Sequence, residues 1–231
     1  MSFKTVAACS GTVERTTFMP REIAYSWLDR TQGLSAEEAL FVSRLQANED
    51  AAYDELVRIY SASIFHVAYR MLGDSAEASD AVQEIFLKVF RNIGGFKGEA
   101  ALRTWIFKIA FSEILNRLRW WKRRYRFATV SIDDQPNGNG TGPGYGVPSP
   151  GPSPEQALQS KEQETAIQQA LGRLSKDHRS IIVLRDIEGF SYNEIADVLG
   201  VSIGTVKSRL ARARGDLKKS LMRYLSVQHL R

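Results

Sequence analysis

The sequence is poor in the residues from which reactive centres are built. Among 231 residues there is one cysteine, Cys9, and the three histidines, His66, His178 and His229, are scattered. A lone cysteine closes no internal disulfide and supplies no thiolate cluster, and dispersed imidazoles make no chelating pair, so no metal and no cofactor are expected. Such cysteine usage points to a reducing, cytoplasmic setting. Long apolar runs are missing as well. None approaches the ~20 residues of a membrane helix, and the first thirty residues mix polar and apolar positions without a signal-peptide core, so neither membrane insertion nor export is expected. Catalytic constellations are equally scarce. The nearest carboxylate cluster, Asp50, Asp54 and Glu55, has no histidine or cysteine beside it, so no catalytic residue is assigned and an enzyme is not expected.

What the sequence does contain is helical and basic. Hydrophobic residues make up 43% and charged residues 25%, in the range of a globular protein, and 31 Lys and Arg against 26 Asp and Glu leave a net charge of +5. That balance leans toward polyanionic partners, and the placement of the charge matters more than its sum. No run sustains the period-two alternation of a strand, so the chain is predicted to be all-α. From Pro136 to Pro154 it reads PNGNGTGPGYGVPSPGPSP, a Gly/Pro-rich stretch with almost nothing to bury. That composition predicts a flexible linker between two helical domains, neither dictating the orientation of the other.

In the first block, Asp74 and Glu77 make a capping-box-like start to a helix whose apolar residues Val82, Ile85, Phe86, Val89, Phe90 and Ile93 share one face. Gly94 and Gly95 end it. Upstream, Ala52 to Leu72 carries a matching stripe. A third helix, from about Leu102 to Tyr125, keeps an apolar stripe through Phe107, Phe111, Ile114, Leu118 and Trp121. Six basic residues, Arg117, Arg119, Lys122, Arg123, Arg124 and Arg126, crowd its far end without an acidic residue among them. Cations complementing a helix dipole account for two or three of these; six unopposed favour a polyanion.

The second block contains a sharper signal. Ser191 and Glu194 form a capping box, Ile195, Ala196 and Leu199 provide a buried face, and Gly200 stands where a left-handed stop is needed. Ser202 then caps a new helix. Two helices joined by so short a turn form a helix-turn-helix. At ~100° per residue, Val206, Leu210, Ala213 and Leu217 face inward and Gly204, Ser208, Ala211 and Gly215 outward. Thr205, Lys207, Arg212 and Arg214 flank that small-residue strip, within reach of bases or phosphates.

These blocks, taken in order, resemble the extracytoplasmic-function (group 4) sigma factors. The segments carrying the resemblance are DAVQEIFLKVF, FKGEA and TWIFKIA, followed by LSKDHRSIIVLRDIEGFSYNEIADVLGVSIGTVKSRLARARGDLKKSL. The resemblance implies a sigma domain 2 at residues 39–127, a linker at 128–158 and a sigma domain 4 at 159–228. Residues 1–38 form an extension beyond the family's usual start. It implies that Asp80, Gln83 and Glu84 bind core RNA polymerase. It also implies that Phe96, Lys97, Gly98 and Glu99, with Asn116, Arg119, Lys122 and Arg123, serve the minus-10 element. The minus-35 element would fall to Ser202, Thr205, Lys207, Ser208, Arg209 and Arg212. The implied partners are core RNA polymerase, promoter DNA and an anti-sigma factor. Asp133 and Asp134 retain the acidic character of a linker that passes near the polymerase channel. Ile203 and Gly204 open the recognition helix with little polar chemistry, so no upstream sequence preference is legible. The alternative is a stand-alone helix-turn-helix repressor or activator whose first block is a ligand or dimerisation domain.

Overall fold

The computed structural model describes residues 34–124 and 154–228. The linker, with Asp133 and Asp134, and the residues before Leu34 lie outside the described residues. Every described element is helical. Helix α1 (Ala36–Gln46) starts at Ser35, whose hydroxyl accepts from the Glu38 amide at 3.0 Å. Helix α2 (Asp50–Leu72) stops at Gly73, whose φ of 84° suits a residue without Cβ. In helix α3 (Ser75–Asn92) the Asp74 carboxylate caps the Glu77 amide at 2.9 Å. The reciprocal half of the box is replaced by an ion pair, because the Glu77 carboxylate meets Arg117 at 3.2 Å. A tight turn at Ile93–Gly95 and a short loop lead to helix α4 (Leu102–Arg124).

Helices α2, α3 and α4 pack through the stripes expected of them. Leu56, Ile64, Val67, Ala81, Ile85, Val89, Phe107, Phe111 and Ile114 are all buried. Full burial of one such large side chain is worth about 1.5–3 kcal/mol, so this core can carry the bundle. Of the carboxylates at its edge, Glu55 pairs with Arg44 of α1 at 3.2 Å.

The second body contains α5 (Pro154–Gly172), α6 (Lys176–Ile182) running into a wider π-type turn at Val183–Ile187, α7 (Tyr192–Leu199) and α8 (Ile203–Gln228). The capping box at Ser191 and Glu194 is complete, and Gly200 takes φ 64°. Ile195 and Val198 form the buried face of α7, with Ala196 and Leu199 packed beside them. The expected borders at 38/39 and 158/159 fall inside α1 and α5.

The two bodies are not independent of each other's orientation, as the linker composition had suggested. They share one continuous cluster of buried side chains, and Phe107 of α4 lies 4.9 Å, centroid to centroid, from Phe190 of the second body. Arg179 donates to the Met71 carbonyl at 2.7 Å and Gln168 to the Tyr69 carbonyl at 2.9 Å. The composition of the linker permits independence but does not enforce it. Complementary apolar faces decide the matter, and composition says nothing about them.

Candidate nucleic-acid interface

Asp80, Gln83 and Glu84 all stand exposed on the outer arc of α3, while Ala78, Ala81, Ile85, Phe86 and Val89 face inward. Leu87, one turn further along that arc, is 43% exposed. An apolar side chain left in the open beside two carboxylates suits a protein partner better than a polyanion. It escaped the sequence reading because its helical position is that of a solvated residue.

The loop between α3 and α4 is held from several directions. Gln46 of α1 donates to the carbonyls of Ile93 and Phe96 at 3.1 and 3.0 Å, fixing the entry to the loop. At the exit, a Glu38 carboxylate oxygen accepts from the Leu102 amide at 2.8 Å and so caps α4 from a distant part of the chain. Gly98 has φ 74°, a conformation that favours a residue without Cβ, and a Cβ there would press on the tip of the Leu34 side chain at 2.9 Å. Phe96 is buried against the Trp105 ring, with Lys97 and Glu99 exposed beside it. Together Gly95, Phe96, Lys97, Glu99, Ala100, Thr104, Trp105, Lys108 and Asp197 line a half-open cavity of about 450 Å³. Trp105 and Ile109 are packed against the core and Ile106 is fully buried, yet Trp105 also forms part of the cavity wall.

From that cavity a single exposed ridge runs along α4. Lys108, Ser112, Asn116, Arg119, Trp120 and Arg123 are all exposed, and their spacing of three or four residues puts them on one side of the helix over roughly 22 Å. Arg119 donates only to the carbonyl of Leu115, at 3.3 Å, and no ion pair engages Arg119 or Arg123 among the described residues. Lys122 lies on the same helix, its side chain outside the described residues. Arg117 is different: it is tied to Glu113 at 3.3 Å and to Glu77 at 3.2 Å, so one of the six cations is neutralised within the fold. Trp120, 47% exposed with the Arg124 guanidinium 4.9 Å from its ring centroid, was not singled out by sequence reading. An aromatic among cations offers a face on which an unpaired base can stack.

In the second body, Ser202 caps α8 by accepting from the Thr205 amide at 3.2 Å, and the Ser202 and Thr205 hydroxyls are 2.9 Å apart. Val206, Leu210 and Ala213 are buried, and Gly204, Lys207, Ser208, Ala211, Arg212 and Gly215 are exposed. Not every predicted cation is free. Arg209 lies 3.7 Å from Asp177 of α6, because it neighbours the inward Leu210 and so flanks the buried face. Arg214 forks onto Asp186, and that hydrogen bond raises its pKa above the ordinary guanidinium value. Lys207 and Arg212 make no ion pair among the described residues, which leaves them to an external anion.

The comparisons with known proteins match this geometry. Residues 56–124 match Sigma-70 region 2, and residues 164–217 match Sigma-70, region 4. The chain is 34% identical to the RNA polymerase sigma-H factor of Pseudomonas aeruginosa, over 80% of this chain and 94% of that one. It is 33% identical to the ECF RNA polymerase sigma factor SigW of Bacillus subtilis, over 78% of this chain and 94% of that one. Among solved structures it is similar to the sigma factor RpoE in complex with the anti-sigma factor NepR from Bartonella quintana. That likeness has 25% identity and a TM-score of 0.57, over 74% of this chain and 96% of the other.

Proposed function

Because the chain belongs to the extracytoplasmic-function sigma factors of the sigma-70 family, we propose that its two bodies divide promoter recognition between them. The protein is a sigma factor: it binds core RNA polymerase and directs it to promoters. It is a DNA-binding regulator of transcription, and on our reading it catalyses no reaction of its own. Among the described residues no helix is long and apolar enough to cross a membrane. We place its work in the cytoplasm, where polymerase is found.

The outer arc of α3, with Asp80, Gln83, Glu84 and the exposed Leu87, docks on polymerase. The carboxylates supply charge complementarity and the leucine an apolar anchor. The loop cavity takes a base extruded from the minus-10 element. Extrusion costs a few kcal/mol, which a fitted pocket must offset. Lys97, Lys108, Arg119, Lys122 and Arg123 follow the strand leading into it by neutralising phosphates, and Asn116 hydrogen-bonds to it. Lys207, Ser208 and Arg212 read the minus-35 element with α8 in the major groove, while Ser202 and Thr205 fix the start of that helix. An anti-sigma factor, such as the NepR bound to RpoE in the Bartonella complex, is the partner class we assign for regulation.

The observation that carries this reading is the continuity of the loop cavity with the exposed ridge of α4. Both lie on one side of one helix, as a path for a single strand requires. Run-off transcription with core polymerase, with and without the protein, tests it. Promoter-dependent product only in its presence is expected. DNA binding without polymerase, and no product with it, would instead identify a stand-alone helix-turn-helix regulator.

A further inference from the structure

Ile203 is the first residue of α8, and it is 43% exposed. Val201, two positions earlier, packs against the core, and Val206, three positions later, is fully buried. Ile203 itself stands outside that packing. The first turn of a helix favours polar or acidic side chains, which meet its unpaired amides and its dipole. An exposed isoleucine there forgoes that gain and leaves apolar surface in water. Side chains on a helix lean toward its N-terminus, so a residue at the first position projects past the helix end instead of lying along its flank. Ile203 is therefore the tip of the element that carries Lys207 and Arg212.

The polar groups around it are turned elsewhere. The Ser202 hydroxyl accepts from the Thr205 amide at 3.2 Å and lies 2.9 Å from the Thr205 hydroxyl. The Ser208 hydroxyl donates to the Thr205 carbonyl at 3.1 Å. Gly204 has no side chain, and a Cβ built on it would meet nothing nearer than the Ser202 hydroxyl at 3.9 Å. Packing within the fold does not demand a glycine there, and its effect is to leave Ile203 uncovered. With the hydroxyls engaged inside the first turn, what the tip offers to a facing surface is the isoleucine. In the major groove the base edges present donors, acceptors and one apolar group, the C5 methyl of thymine.

We propose that Ile203 is a specificity-determining residue that packs on the C5 methyl of one thymine in the minus-35 element. The tip of α8 thereby reads a T·A pair by apolar contact, while Lys207 and Arg212 take hydrogen-bonding groups and phosphates. This rests on the assignment of α8 to the major groove made above. It gives the recognition helix a sequence preference at the position where its polar chemistry is weakest. Arg212 lies roughly 13 Å further along the helix, so the thymine that Ile203 contacts is distinct from the base pair that Arg212 reads.

The test uses holoenzyme reconstituted from core polymerase and the full chain, on a promoter duplex whose upstream element the wild type has selected from a randomised library. Each thymine of that element, on either strand, is replaced singly by deoxyuridine, which removes the methyl group and keeps every hydrogen-bonding group. Competition binding measures the loss. One substitution should weaken wild-type holoenzyme about fourfold, the worth of one buried methyl-sized group, and the other thymines should tolerate uracil. Ile203→Ala should bind the unmodified promoter more weakly by a similar factor and lose the discrimination between thymine and uracil at that position alone. With cytosine placed there, 5-methylcytosine should recover about fourfold for wild type and nothing for Ile203→Ala. A residue with a merely structural role would not respond to the methyl group. Ile203→Ser should behave as Ile203→Ala does, and keeps the test decisive if either variant folds poorly. A selected element without an A·T pair, tolerance of uracil throughout by wild type, or thymine–uracil discrimination that persists in the folded variants would each overturn the proposal. The groove assignment is scored separately, on Lys207→Ala and Arg212→Ala. If those variants shift the selected bases while uracil is tolerated throughout, only the role of Ile203 falls; if they select the wild-type bases, the groove assignment falls with it.

Discussion

Replacing Glu38 with alanine should destabilise the first body far more than its place near the start of the helical region suggests. Glu38 is 7% exposed, and its carboxylate accepts from the Leu102 amide at 2.8 Å, at the N-terminus of a 23-residue helix. A hydrogen bond to a charged group contributes about 1.5–3 kcal/mol. The favourable position of a negative charge at a helix N-terminus adds about 0.3–1 kcal/mol. The expected loss is therefore about 2–4 kcal/mol, which for a body of this size lowers the melting temperature by roughly 8–32 °C. Glu37→Ala is the control: that side chain is exposed one residue away, and the change should stay within about 0.5 kcal/mol. Thermal denaturation followed by circular dichroism measures both. Because the Leu102 amide anchors the end of the loop that walls the cavity, Glu38→Ala should also weaken promoter melting in a permanganate footprint below its melting temperature. If Glu38→Ala melts within a degree of wild type, the long-range cap contributes nothing and the account of how the loop is held is wrong.

Three further outcomes are expected. Alanine at Asp80, Gln83 and Glu84 together should weaken binding to core polymerase while the helical circular dichroism signal stays unchanged, and Leu87→Lys alone should do the same; unaltered affinity in a pull-down with core would remove that surface from the interface. Charge reversal at Arg119 and Lys122 should abolish open-complex formation with core binding intact, so full permanganate reactivity in that variant would contradict the role given to the ridge. Lys207→Ala and Arg212→Ala should change which upstream sequences are selected from a randomised library, whereas Leu210→Ala should cost about 2–5 kcal/mol of stability instead; a folded, active variant selecting the wild-type bases would show that α8 does not read the element.

The helices, the caps at Asp74, Ser191 and Ser202, the left-handed stop at Gly200 and the inward set Val206, Leu210 and Ala213 were all legible in the sequence. Each depends on residues within about a turn of one another, and periodicity reports such relationships directly. Asp80, Gln83, Glu84, Asn116 and Arg119, singled out by the family resemblance, all stand exposed. Tertiary partners were not legible. Which cations stay free was decided by carboxylates far along the chain, Glu77 taking Arg117 and Asp186 taking Arg214. The supports of the loop, Glu38 and Gln46, act on residues more than forty positions away, and no local pattern marks either. The seating of α7 on α4 was equally hidden. Sequence by itself determined the local structure and the family, because short-range spacing and motif order carry that information. Only the tertiary structure decided that the two bodies meet at Phe107 and Phe190, because that contact depends on the match between two surfaces joined by a linker whose composition is silent about either.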